Sequence, residues 1–190
     1  MFCLVLLLAA AHAFGQPVNY KIEPGAGSHI SLEVEKTGLM KGKKHLFVFT
    51  RFSGRLSYDA QAPANSQAGL TIDAASLLCK DTWVSPKDLK KITDTALGEM
   101  LDVKRHPEIR FLSTRVTPRG QDTFQVEGML TIRGISKPVM LETALTPEGM
   151  MLDGKTRFKM TVYGMKPPSA ALGAIGTKDE MTATFHVAGR

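Results

Sequence analysis

The chain has 190 residues, with 24 Lys or Arg against 18 Asp or Glu and a formal charge of +6. That length suits one domain with a sizeable core. The basic clusters (Lys41, Lys43, Lys44 and His45, then Lys87, Lys90 and Lys91) carry no interleaved stacking rings, which excludes a nucleic-acid groove as a reading.

Met1 to Ala13 reads MFCLVLLLAAAHA, apolar almost without break from Phe2 to Ala11. This run is far short of the roughly 20 residues that cross a hydrocarbon core. It ends in Ala11-His12-Ala13, a small-x-small pattern that signal peptidases accept. The segment 1–13 therefore reads as a secretory signal, although no Lys or Arg precedes its apolar run. Residues 14–190 read as one exported, periplasmic domain. Cys3 precedes the apolar run, the wrong side for a lipid-modified cysteine. Without the leader only Cys79 remains, so no internal disulfide can form and the core must carry stability alone.

Downstream, the dominant period is two. Ile30, Leu32 and Val34 alternate with Ser31, Glu33 and Glu35 after the turn signal Pro24-Gly25-Ala26-Gly27. Leu70, Ile72 and Ala74 follow a small, polar loop at Pro63 to Gly69. Ser85-Pro86-Lys87-Asp88 then breaks the pattern with a cap residue, Pro at the first helical position and an acid in the first turn. Leu89, Ile92 and Ala96 continue it at helical spacing, which predicts one amphipathic helix ending near Gly98 and covering a barrel opening or an edge. Alternation resumes at Ile109 and Phe111, at Phe124 to Ile132, at Val139 to Leu145, at Phe158, Met160 and Val162, and at Met181 to Val187. Pro118 to Asp122, Arg133 to Ser136, Pro147 to Gly149 and Leu152-Asp153-Gly154 read as tight turns between these runs. Closely spaced strands joined by such turns argue an antiparallel sheet. About eight of them make a sandwich or a closed barrel, and a closed one can hold a single ligand.

Several segments, in order, resemble the YceI-like family of exported polyisoprenoid-binding proteins. They are Tyr20 to Glu23, Phe49 to Leu56, Met100 to Phe111, Gly128 to Val139, Gly164 to Ser169 and Lys178 to Met181. The resemblance runs from about Tyr20 to Val187, with Gly128 to Val139 its most specific part. It implies an all-β fold: an eight-stranded antiparallel lipocalin-like barrel with one short α-helix between strands. It also implies a long apolar cavity that holds an isoprenoid or related long-chain lipid. The stretch Lys36 to His45, basic and with two glycines, departs from the apolar segment typical of the family at this place.

The expected cavity lining is Phe49, Phe52, Leu70, Ile72, Phe111, Phe124, Leu130, Ile132, Phe158 and Phe185. Any barrel needs such a core, so a filled barrel that binds another protein is the alternative. For chemistry, Cys79 with His45, His106 or His186 is the one conceivable nucleophile and base pairing, and a lone Cys in a strand is usually a small buried hydrophobe. No Gly-x-Ser-x-Gly elbow occurs. The four mature histidines, His29, His45, His106 and His186, lack the close spacings of zinc sites, though ligands can converge through folding. The expectation is thus a binding protein: no enzyme, no cofactor, no metal. The positive charge reads as a solvated surface or, more sharply, as transient attraction to anionic lipid head groups.

Overall fold

Strands with one apolar face must bury it, and this chain does so by rolling its sheet shut. In the computed structural model, residues 16–25 and 27–190 are described; the proposed leader and Ala26 of the first turn lie outside them. The strands are β1 (Val18–Ile22), β2 (His29–Gly38), β3 (Lys44–Phe49), β4 (Phe52–Tyr58), β5 (Gln67–Asp73), β6 (Leu77–Cys79), β7 (Glu108–Pro118), β8 (Thr123–Ile132), β9 (Ile135–Thr146), β10 (Met151–Lys159), β11 (Ser169–Ala170) and β12 (Ile175–Ala188). All pairings between them are antiparallel.

The count of twelve exceeds the expected eight because three arms of the barrel bend in the middle and the two-residue β11 pairs the start of β12 off the main path. β1 and β2 are halves of one arm, β3 and β4 of the next, β5 and β6 of the third. β4 pairs β1 and β5, while β3 pairs β2 and β6, so each bent arm follows its neighbours on both sides of the bend. Ser76 ties two bends together: its carbonyl accepts from the Thr50 amide at 3.3 Å and its Oγ accepts from the Arg51 amide at 3.1 Å. With the arms joined, the order runs once around through β7, β8, β9, β10 and β12 and returns to β2. At the other end of that seam, Ile22 bridges Gly189, the Lys21 amide donates to Arg190 O at 2.7 Å and the Arg190 amide to Lys21 O at 2.9 Å. The fold is the expected all-β antiparallel barrel.

The turn chemistry explains the sharp corners. Arg133 and Gly134 both have positive φ, 53° and 73°, the two-residue turn whose twist matches a hairpin. Two sequence readings are corrected. Asp153-Gly154 is no turn: both residues lie inside β10, and the corner is made by Pro147 to Met150, with Met150 N donating to Pro147 O at 3.1 Å. The run through Phe158, Met160 and Val162 is not one strand either. β10 stops at Lys159, and Thr161–Tyr163 forms a 3₁₀ turn. Asp179 on the facing strand accepts from the Thr161 amide at 2.9 Å and from its hydroxyl at 2.7 Å, which draws the chain out of the ladder. Tyr163 thereby swings to the inside, and Val162 is left exposed.

The helix α1 (Pro86–Thr95) forms where expected. Ser85 Oγ accepts from the Asp88 amide at 3.2 Å, and Pro86 costs nothing at the first helical position, where the amide would lack a partner anyway. The helix runs on beyond Gly98 as a wider turn, Ala96–Met100, before Asp102 at φ 49° ends it. Thr93 Oγ1 accepts from the Cys79 amide at 3.3 Å, so α1 covers an edge of the short strand β6.

Candidate ligand cavity

Two apolar clusters fill the barrel unequally. One end, where α1 and the hairpin corners at 39–43 and 133–134 lie, is packed solid. Tyr163 (0% exposed), Met160, Met165 and Leu101 plug it. Toward the other end, Val116, Phe124, Val126, Leu141 and Leu145 form a smaller cluster. Between the two lies a cavity of about 170 Å³, which reaches Pro63, Ser66 and Gln67 at the β4–β5 connection.

The ten residues expected inside divide along this line. Leu70, Ile72, Phe111, Phe124, Leu130 and Phe185 line the cavity. Phe49, Phe52 and Ile132 are buried in the packed cluster, and Phe158 packs against it, with its ring edge-to-face on Tyr163 at 5.5 Å. These four point inward as their phase requires, but the Tyr163 turn occupies the space they would otherwise enclose. Leu56, Val126, Val139, Leu141, Leu152 and Val187 also line the cavity. Alternation carries the signal for Val126, Val139, Leu141 and Val187, whereas Leu152 reads as part of a turn and Leu56 lies outside the alternating runs.

Glycine lets the large rings lie flat against the wall. A Cβ on Gly154 would sit 2.2 Å from the Phe185 ring, and one on Gly128 would sit 2.4 Å from the Phe111 ring. Phe185 and Gly154 are direct cross-strand partners.

The cavity is lined mostly by apolar side chains, and no carboxylate, imidazole, amine or thiol lines it among the described residues. One polar group stands out. Thr143, on the inward phase of β9 with Leu141 and Leu145, is 8% exposed and its hydroxyl has no hydrogen-bond partner. Such a group costs about 1–3 kcal/mol while unpaired. Thr143 also borders an open hollow of about 820 Å³ on the outside of the wall, together with Phe124, Thr184 and Phe185. Burial also pushes the Tyr58 hydroxyl, another lining group, above the usual tyrosine range.

Three of the segments that carry the family resemblance meet at the closed end. A Cβ on Gly134 would lie 3.5 Å from the His106 ring, and Arg133 Nη1 donates to Gly164 O at 2.9 Å. Asp102 accepts from Arg105, which holds its carboxyl below the usual carboxylate range. Residues 20–188 match the YceI-like domain. The chain belongs to the YceI-like family.

Among relatives, it is 29% identical over 172 residues to a UPF0312 protein of Pseudomonas putida strain W619, covering 86% of this chain and 84% of that one. Among solved structures it is similar to Burkholderia cenocepacia BcnA, with a TM-score of 0.69 and 24% identity over 84% of this chain and 94% of that chain. It is also similar to a polyisoprenoid binding domain from Saccharophagus degradans implicated in plant cell wall breakdown. There the TM-score is 0.61 at 12% identity, over 90% of this chain and 97% of that chain. The motifs of this YceI-like chain thus build part of its closed end and part of the cavity wall, where Ile22, Leu56, Ile109, Phe111, Leu130 and Val139 belong to them.

Proposed function

We propose that this chain is an exported carrier that holds a long-chain isoprenoid or related lipid in its barrel and performs no chemistry on it. The apolar cavity with a single unpaired hydroxyl is the observation that carries the reading. A catalyst would need a charged group, an imidazole or a thiol at the ligand to activate or supply a nucleophile, and none lines this space among the described residues. The name of the Saccharophagus degradans domain supports the ligand class.

Size refines the mechanism. A protein cavity of about 150 Å³ holds one benzene, so about 170 Å³ takes one short branched segment of a lipid. A longer chain must leave past Pro63 to Gln67 or push lining side chains aside. Each methylene buried contributes about 0.8 kcal/mol, less the ordering cost.

Native mass spectrometry of the protein recovered from its exporting host tests both halves of the proposal. The expected polypeptide mass begins at Phe14, and an apolar molecule is released on activation. Recovery of the unprocessed chain would end the export reading. Bare protein after gentle purification would favour the alternative, a filled barrel whose outer surface binds a partner.

Thr143→Val supplies an independent check. Valine keeps the shape and deletes the unpaired hydroxyl. The ligand-free protein is expected to gain about 1 kcal/mol in urea unfolding, while retention of a lipid whose polar group meets Thr143 falls. Loss of stability instead would mean that the hydroxyl is already satisfied.

A further inference from the structure

The closed end holds a buried polar cluster that lipid binding does not use. Phe47 on β3 pairs with Cys79 on β6. His45 stands two residues along β3 from Phe47, and Asp81 two residues past the end of β6. The Asp81 side chain is 0% exposed and that of His45 only 9%. Asp81 Oδ2 lies 2.5 Å from His45 Nδ1, and Oδ1 accepts from the Leu46 amide at 2.8 Å. One ligand-type atom from each of His45, Cys79 and Asp81 lies within 4.8 Å of the other two. Trp83 stacks on the His45 ring at 5.4 Å, and its Nε1 donates to Lys44 O at 3.0 Å.

A thiol, an imidazole and a carboxylate are the three donor types that zinc takes, and a thiol argues against magnesium or calcium. A tetrahedral zinc would space such ligands roughly 3.3–3.7 Å apart, given bonds of about 2.0–2.3 Å. His45 Nδ1 and Asp81 Oδ2, at 2.5 Å, would part by about 1 Å and the thiol would turn toward them, both within the reach of side-chain rotation. The supporting contacts are already made: the Leu46 amide orients the carboxylate and Trp83 fixes the ring. Lys36, on β2, is the cation that faces Asp81, and it is only half-buried, so its ammonium can turn to water as a dication enters.

We propose that His45, Cys79 and Asp81 form a zinc site with its fourth position left to water. Binding replaces the Cys79 S–H bond by a zinc–sulfur bond and releases one proton, with no change of oxidation state. Because Cys79 is hydrogen-bonded to Thr93 of α1, the ion would pin the helix to the barrel.

The test is equilibrium dialysis of the full chain against zinc, with metal measured per protein, and a parallel loading with cobalt. The expected result is one zinc per chain, a thiolate-to-cobalt charge-transfer band in the near ultraviolet, and a raised Tm. Cys79→Ser should abolish the band and weaken zinc at least about tenfold, since loss of a supporting partner alone costs that much. His29→Ala, which alters a histidine outside the cluster, should change nothing. Cys3 stays in every variant, so the comparison reports Cys79 alone. Uptake below one equivalent, or equal uptake by wild type and Cys79→Ser, would overturn the site. If Cys79→Ser does not fold, proton release on zinc addition to the wild type decides: no release refutes thiolate coordination. None of these outcomes depends on lipid binding.

Discussion

Truncating Tyr163 to alanine is expected to cost about 3–5 kcal/mol, the range for removing a large buried aromatic side chain. The ring is wholly buried between Met160, Met165 and Phe158, and it closes one end of the barrel. Urea unfolding of the ligand-free protein should show the loss as a lower midpoint at nearly unchanged slope. Tyr163→Phe should behave in the opposite way. The phenol hydroxyl has no hydrogen-bond partner, so removing it while keeping the ring is expected to be neutral or stabilising by about 1 kcal/mol.

The same pair of variants separates packing from ionisation. Burial pushes the Tyr163 hydroxyl up to about 12 from an ordinary value of 10.0. A folded-state pKa raised above the unfolded one favours folding fully below pH 10, and that contribution is lost as pH rises through 12. Two units correspond to roughly 3 kcal/mol. Wild-type stability should therefore fall between pH 10 and 12 more steeply than that of Tyr163→Phe. Parallel curves would show that the phenol ionises in place. Burial also raises the Cys79 thiol, to about 11, so Tyr163→Phe retains a shallower alkaline loss.

Gly128→Val is the second large effect, about 3 kcal/mol, the upper end of the cost of overpacking. A Cβ there would lie 2.4 Å from Phe111 Cε2 and 2.5 Å from the backbone oxygen of Leu112. The ring could turn away only into the cavity, and the carbonyl belongs to the ladder between β7 and β8. Denaturation midpoints of the purified variants measure it. Gly98→Ala is the control: nothing lies within 4 Å of its Cβ position, and the residue sits in a helical turn. Alanine there should stabilise by about 1 kcal/mol. A tolerated Gly128→Val would show that the wall is loose where the ring now lies flat.

Much of this architecture could be read from alternation alone. The inward phases of β2, β5, β8, β9 and β12 followed from period-two runs, and the Arg133-Gly134 corner from its turn residues. Phe158 to Tyr163 was misread because a local pattern has no knowledge of Asp179, sixteen residues after Tyr163, whose carboxylate bends that strand end inward. Asp153-Gly154 was misread for a similar reason. Glycine there answers to the Phe185 ring across the ladder, a tertiary demand that looks like turn chemistry in one dimension. The His45, Cys79 and Asp81 cluster was illegible as a group because its geometry depends on the register of β3 against β6. Single residues at 45, 79 and 81 carry no trace of that register.

The closing seam of the barrel is uneven. Between β8 and β9, ten consecutive residue pairs hold the wall. Between β1 and the end of β12, one bridge and the two Lys21–Arg190 hydrogen bonds do so. Ile22 and Val187, beside that short stretch, both face the cavity. The ring is a hoop clasped only at its mouth: nine pairs between β2 and β12 hold the rest of the same seam, so parting the clasp widens the rim and leaves the girth beneath it unchanged. Rigidity elsewhere and compliance there are both consequences of how few residues the chain spends on the clasp.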